Sequence, residues 1–208
     1  MTIAIAILAA GRASRFGGGK LDAACASKPL GRWVLDAVAA AGAPPGMLIV
    51  GPDAPAFTHD ASANGWTLIT NLYPDEGLGG SVTLAARHAN GLRADALVLL
   101  LADMPLVDKK MIGALLNHQP VMDPVATRYP NDRPGVPARF PASMFSDLAQ
   151  LSGDRGAAAL LIDRPDLHLI DPPSGALTDV DDPDSLARAE SLLSKSNSGS
   201  STTADWLT

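Results

Sequence analysis

Apolar residues run unbroken over positions 3–8 (Ile-Ala-Ile-Ala-Ile-Leu) and again over 96–102 (Ala-Leu-Val-Leu-Leu-Leu-Ala), with no polar alternation in either. Runs of this kind predict strands buried on both faces, as in a parallel sheet lying between helical layers. Shorter apolar runs at 47–50 and 67–70 predict two more strands. Helical spacing fills the gaps. Residues 30–41 follow Pro29 and stop at Gly42 and the Pro44-Pro45 pair; 81–90 follow Ser81 as an N-cap and stop at Gly91; 109–116 form the next helix. This alternation of strand and helix predicts an α/β fold, with 96–102 as its central strand.

Beyond Gln119 the pattern loosens. Strands are expected at 121–127, 136–140 and 167–170, and helices at 145–151 and 157–163. The half after Tyr129 is therefore expected to carry substrate-facing insertions rather than sheet core. A closing helix over 183–193 starts from Asp182 and Pro183, an N-cap followed by proline at the first helical position. Ser, Thr, Asn, Gly and Lys dominate from Ser194 to Thr203, a composition that cannot bury enough surface to order itself. The expectation is one domain over 1–193 and a disordered tail over 194–208, with Trp206 and Leu207 as the only residues there suited to docking.

Composition narrows the class. The 208 residues suit a single well-buried domain, and 47% are apolar but only 4% aromatic. With 16 Lys and Arg against 22 Asp and Glu the net charge is -6, which argues against a general nucleic-acid or anionic-membrane surface. Any affinity for phosphate has to be local. The single cysteine, Cys25, excludes an intrachain disulfide and a cysteine metal cluster, and fits a reducing cytoplasm. Neither long apolar run approaches the roughly 20 residues of a membrane helix, and no Lys or Arg precedes the first as a secretory signal would require.

The local phosphate site is legible directly after the first strand. Leu8-Ala9-Ala10-Gly11-Arg12-Ala13-Ser14-Arg15-Phe16-Gly17-Gly18-Gly19-Lys20 is a loop of glycines and cations. Glycines let backbone N–H groups approach phosphate oxygens, and Arg12, Arg15 and Lys20 supply charge. The loop fits neither the P-loop, because Leu21 follows Lys20, nor the dinucleotide fingerprint, because no second glycine stands two places after Gly11. Asp103, in Leu101-Ala102-Asp103-Met104-Pro105, falls at the carboxyl end of the central strand, where open α/β sheets gather ligands. It is the first choice for a Mg²⁺ ligand, since Mg²⁺ takes only one or two protein carboxylates. Asp179 or Asp181 could supply the second if Asp179-Val180-Asp181 is extended, with helix capping as the competing role for Asp181 and Asp182. Glu76-Gly77-Leu78-Gly79-Gly80-Ser81 is a glycine turn feeding a helix N-terminus, suited to an anion or a base edge. His59, His88, His118 and His168 are scattered, without a His-x-x-x-His pair or an evident acidic partner, and read as surface or helix-end residues. Lys28 either extends the basic surface of the first loop or faces water.

Taken together, the pattern L-A-A-G-x-x-S-R-x-G-x-x-K-L from Leu8 to Leu21 and the L-A-D-M-P segment resemble the MobA-like nucleotidyltransferases. Glu76 to Ser81, Gly135-Val136-Pro137, Gly153-Asp154-Arg155-Gly156 and the Asp179–Pro183 segment extend the resemblance to the molybdenum cofactor cytidylyltransferases, over about residues 1–193. Val136 departs from it, standing where relatives commonly have His. The resemblance implies a single-domain Rossmann-like nucleotidyltransferase fold of three layers, with a mostly parallel twisted sheet and helices on both faces. It implies CTP as donor, a molybdopterin-type cofactor as acceptor, Mg²⁺ as cofactor, and transient contact with a molybdoenzyme or its chaperone. Lys20, Arg15 and Asp103 would be the catalytic group. Leu8, Ala9, Ala10, Gly11, Arg12, Gly17, Glu76, Gly77, Gly79 and Ser81 would join them around the nucleotide. A transferase of the same fold using GTP or a sugar or alcohol phosphate, and a non-catalytic cofactor-binding partner, are the alternatives at this point.

Overall fold

The alternation read from the sequence is realised in a computed structural model that describes residues 1–11 and 16–198. The chain runs β1 (Ile3–Ala9), the short hairpin β2 (Ala24–Cys25) and β3 (Lys28–Pro29), α1 (Arg32–Ala40), β4 (Met47–Val50), α2 (Phe57–Ala63), β5 (Thr67–Thr70) and α3 (Leu78–Gly91). It continues with β6 (Ala96–Leu101), α4 (Lys109–Asn117), β7 (Val125–Tyr129), β8 (Arg133–Pro141), α5 (Phe145–Leu148), β9 (His168–Ile170) and α6 (Pro183–Ser198). Seven strands form one sheet in the order β5-β4-β1-β6-β8-β7-β9, so β6 is its middle strand. Pairing is parallel from β5 to β6, antiparallel on both sides of β8, and parallel again between β7 and β9.

Two cores explain why the first strand is apolar at every position. Ile5 and Ile7 face one layer with Val34, Leu35 and Val38 of α1. Ala4, Ala6 and Leu8 face the other with Val82, Ala85 and Ala86 of α3. Alternate side chains point to opposite faces, so a strand covered by helices on both sides must be apolar throughout. Alanines of β1 (Ala4, Ala6) and α3 (Ala85, Ala86, Ala89) make up much of that second layer.

Several expectations need correction. β8 lies in the sheet interior beside β6, so the half after Tyr129 contributes core and not only insertions. The segment expected as a helix at 157–163 is a short 3₁₀ turn, Ala157–Leu160. α3 begins three residues before Ser81, with Gly77 as its N-cap; Ser81 is buried within the helix and accepts a hydrogen bond from Asn71 Nδ2 at 3.1 Å. α6 continues to Ser198, five residues into the segment expected to be a tail, and 199–208, with Trp206 and Leu207, lie outside the described residues. Asp182 does cap α6, accepting from Ser185 N at 2.7 Å through Oδ1.

Arg139 gave no signal in the sequence. It is fully buried on β8, and its guanidinium donates to the carbonyls of Leu115, His118, Pro120 and Asp123 at 2.8–3.1 Å. It thereby satisfies carbonyls at the negative end of α4 and fastens that helix to the sheet. Nearby, His118 and His168 rings stand 4.3 Å apart and His168 Nε2 lies 3.2 Å from Asp123, so His168 has the acidic partner that the sequence did not reveal. Among the described residues no helix is long and apolar enough to cross a membrane.

Candidate active site

β1, β4 and β5 are wound to one side and α3 then carries the chain back to β6 on the other flank of β1. The winding therefore reverses at the carboxyl ends of β1 and β6, the crevice in which open α/β sheets bind ligands. After β1 the chain passes through Gly17, Gly18 and Gly19, all with positive φ, into a turn at Lys20–Asp22. That turn buries Lys20 to 8% exposure and aims its ammonium at the end of β6. Lys20 Nζ donates to Asp103 Oδ2 at 2.8 Å and to Asp181 Oδ1 at 3.4 Å. Val180 N donates to Asp103 O at 3.1 Å, which ties the 179–181 segment to the strand end. Three distant stretches of sequence thus meet at one cation.

Asp179 completes the group. Partial burial and the charges of Asp103 and Asp181 push its pKa up to about 6, with Lys20 pulling the other way. Its side chain still reaches solvent, and the neighbouring carboxylates oppose its ionisation. The sign is fixed: the bound proton favours the folded state at low pH, and that contribution is lost as pH rises through about 6. In metal-free protein Asp179 should titrate with a midpoint near pH 6 by NMR, and Asp103→Asn should lower that midpoint by removing a repelling charge.

Two cavities open at this end of the sheet. The first, about 580 Å³, is bordered by Ala9, Ala10, Gly11, Gly18, Gly19 and Lys20 and extends to the loop after β4. The second, about 530 Å³ and mostly apolar, is bordered by Leu8, Leu78, Val82, Leu101, Tyr129 and Val136. Tyr129, on the border of the second cavity, has its phenol pushed up to about 12, first by burial and then by the charges of Asp179 and Asp103. Leu72, Pro74 and Asp75 border the first cavity and Leu78 the second, so the segment carrying Glu76 and Gly77 runs between them.

The expected nucleotide residues divide on these cavities. Ala9, Ala10, Gly11 and Lys20 line the first, whereas Leu8 lines the second and Gly18 and Gly19, not Gly17, form the lining of the glycine loop. Arg12 and Arg15 lie outside the described residues. Glu76 is exposed between the cavities and borders neither. Gly77 and Gly79 sit against the backbone of Ser152 to Asp154, with Gly79 N donating to Gly153 O at 2.9 Å. A Cβ on Gly77 would enter the Gly153 backbone, at a φ of +93°. Gly77→Ala is therefore expected to cost roughly 2 kcal/mol of stability, read as a fall in Tm.

Other positions were missed or misplaced by sequence alone. Asp22 accepts from Ala56 N and Phe57 N at 2.7 and 2.9 Å, holding the N-terminus of α2 against the signature turn. Lys28 neither extends the loop nor stands free. It pairs with Asp36 at 2.5 Å and lies over the Trp33 ring at 3.9 Å. Cys25 is buried, with its thiol pushed up to about 11 by burial and by Glu190, the opposite of what an active nucleophile needs.

Among the described residues no three His, Cys, Asp or Glu side chains converge on a single point as a closed metal cage would require. The available donors are all carboxylate oxygens; Asp103 and Asp181 share one lysine, and their charge raises the pKa of the neighbouring Asp179. That set fits a hard divalent cation held by one or two protein oxygens, with phosphate oxygens and water supplying the rest.

A buried lysine shared by strand-end carboxylates at a sheet crossover, with a glycine loop on one side, belongs to the nucleotide-transferring class of α/β proteins. Residues 5–168 match the MobA-like NTP transferase domain, and the chain belongs to this family of nucleotidyltransferases. A curated relative, the purine catabolism protein PucB of Bacillus subtilis, is 32% identical over 96 residues, an alignment spanning 46% of this chain and 46% of PucB, so the matched part is about half of that relative's length. A nucleotidyl transferase from Methanothermobacter thermautotrophicus superposes with a TM-score of 0.80 at 18% identity, covering 94% of this chain and 99% of the other. Rv0371c of Mycobacterium tuberculosis, in complex with manganese, superposes with a TM-score of 0.68 at 22% identity, covering 92% and 98%. At these identities the structures establish the shared fold.

Proposed function

We propose that this enzyme transfers CMP from CTP to the terminal phosphate of a molybdopterin-type cofactor and releases pyrophosphate. The observation that carries the transfer is Lys20 Nζ, held at 2.8 Å from Asp103 and 3.4 Å from Asp181 while its side chain lines the first cavity, with a second cavity opening beside Leu8 and Leu101 at the ends of β1 and β6. One cavity adjoins the glycine loop and suits the triphosphate. The other suits an acceptor with an apolar body.

In this reading an oxygen of the acceptor phosphate attacks the α-phosphorus in line. The new P–O bond forms as the bond from the α-phosphorus to the bridging oxygen breaks, and pyrophosphate leaves with that electron pair. The product is a phosphoanhydride, and no protein nucleophile is needed. Lys20 holds charge on the triphosphate, assisted by Arg12 and Arg15 from the same loop, and loop N–H groups hold its oxygens. Asp103, with Asp179 or Asp181, would hold Mg²⁺, which when bound neutralises phosphate charge and orients the two phosphates. Catalysis here is placement together with charge stabilisation.

The manganese complex of the mycobacterial structural relative supports the use of a divalent ion. The choice of CTP rests on the Ala9-Ala10-Gly11 form of the first loop and on Glu76 to Ser81, which resemble the cytidylyl branch. The molybdopterin acceptor rests on the same resemblance, with the mostly apolar second cavity as its structural support. The test is pyrophosphate release with each ribonucleoside triphosphate, Mg²⁺ and purified molybdenum cofactor. Turnover with CTP alone is the expected result; turnover with GTP alone would overturn the donor, and turnover only with a sugar phosphate would overturn the acceptor.

A further inference from the structure

β7 and β8 do not pair evenly. Their register steps from Ala126 opposite Ala138 to Thr127 opposite Gly135, so Val136 and Pro137 have no partners on β7 and the strand bulges. A bulge frees backbone groups from the ladder and re-aims side chains. Here both freed carbonyls are taken by hydroxyls of β7. Thr127 Oγ1 donates to Pro137 O at 2.6 Å, and Tyr129 Oη donates to Val136 O at 2.7 Å. The Tyr129 ring lies where a Cβ on residue 135 would stand, so glycine is the residue that lets the ring settle against the bulge.

The consequence falls on the second cavity. Val136 and the Tyr129 ring face it alongside Leu8 and Leu101, and Leu101 is two residues before Asp103. Arg133, exposed and without an ion-pair partner among the described residues, stands at the rim of the same cavity. Thr127 is fully buried and does not border the cavity, so it can act on a ligand there only through the bulge.

We propose that the Thr127 and Tyr129 hydroxyls are positioning groups that set the Gly135–Val136–Pro137 bulge as the acceptor-selecting wall of the transferase. The wall presents Val136 and the Tyr129 ring to the flat face of a ring system, and Arg133 to its negative charge. The acceptor class it selects is an anionic phosphate monoester built on a planar ring, as against an open-chain polyol phosphate. This deepens the transferase reading above and rests on it.

The test is steady-state kinetics of the full chain with CTP, Mg²⁺ and molybdenum cofactor for Tyr129→Phe, Thr127→Val, Thr127→Ser and Val136→Asp. Tyr129→Phe and Thr127→Val each remove one hydroxyl and are expected to raise the acceptor KM about five- to tenfold, leaving the CTP KM within about twofold. Thr127→Ser keeps a hydroxyl and should restore the acceptor KM. Val136→Asp puts a charge on the wall itself and should raise the acceptor KM about tenfold or more, which keeps the test decisive if a buried variant does not fold. Unchanged acceptor KM in folded Tyr129→Phe and in Val136→Asp would overturn the wall while wild-type turnover upheld the transferase reading. Equal rises in both KM values would also overturn it, as general distortion. Wild-type transfer only to an open-chain polyol phosphate would overturn the wall and the acceptor together.

Discussion

Asp103→Ala is expected to lower nucleotidyl transfer by roughly a thousandfold, the scale of losing a main electrostatic group in a preorganised site. The size follows from two roles converging on one carboxylate. Asp103 stands at the carboxyl end of β6, where it is the first choice to hold the divalent ion, and its Oδ2 accepts from Lys20 Nζ at 2.8 Å. In the proposed mechanism, removing it disturbs both the metal oxygen and the lysine that meets the triphosphate. Asp103→Asn keeps the shape and removes the charge, so it should lose nearly as much activity if charge is the cause. Neither change should unfold the protein, because the neighbouring core residues Ala102 and Met104 remain buried at 1% and 0% exposure. Pyrophosphate release alongside a melting curve separates the two effects. Near-normal turnover in either variant would remove Asp103 from the catalytic group.

Why Asp103 could be found from sequence, and Tyr129 could not, comes down to the range of the signal. Asp103 follows an apolar run with no polar interruption, and such a run marks a strand whose end has a known use in α/β sheets. Lys20 was legible for the same reason, one loop after the other uninterrupted strand. The two parallel strands on the β4 flank of β1 also appeared at their observed bounds, 47–50 and 67–70. The antiparallel extension was harder. β8 contains three prolines and a glycine in Arg133–Pro141, a pattern that argues locally against a central strand. It lies in the sheet interior because its bulge absorbs the Val136–Pro137 pair and Arg139 anchors it to α4. Such long-range compensation has no local sequence mark. α2 was also missed: its seven residues, Phe57–Ala63, are few and polar, and its N-terminus depends on Asp22, 34 positions away.

The pairing of Asp179 with Asp181 was only half legible. Alternate residues of an extended segment share a side, which brought both into consideration but could not show that Val180 N would bind Asp103 O and carry them to the end of β6. The glycines of the 77–80 turn show the converse difficulty. The same residues that could admit a phosphate also let two backbones touch, and the contact of Gly77 and Gly79 with Ser152 to Asp154 is the one visible in the structure. A glycine signature reports close approach of something to the chain; it does not say whether that is ligand or protein.

Lys20→Ala is expected to move two binding constants in opposite directions. In the free protein the Lys20 ammonium lies against Asp103 and Asp181, the oxygens that would otherwise meet a divalent ion. It neutralises part of their charge, and a metal ion approaching without nucleotide has to compete with it. Removing the cation should therefore tighten Mn²⁺ binding to the nucleotide-free protein by about tenfold, a modest effect because Asp181 is exposed and solvent screens the pair. The same change removes a charge-assisted contact from the triphosphate and should weaken CTP binding about tenfold or more and lower transfer roughly a hundredfold. Asp179 also loses an attracting neighbour, so its midpoint should rise further above about 6. Lys20→Arg keeps the charge but spreads it over a planar group, and is expected to restore weak metal binding without restoring full transfer. Titration with Mn²⁺ followed by electron paramagnetic resonance, with CTP affinity by calorimetry, reads the two constants separately. If metal affinity were unchanged while CTP affinity fell, Lys20 would act on the triphosphate alone. The opposed shifts are what a lysine shared between the metal oxygens and the phosphates requires, since in the proposed transfer the charge that restrains the carboxylates before CTP arrives is the charge that receives it.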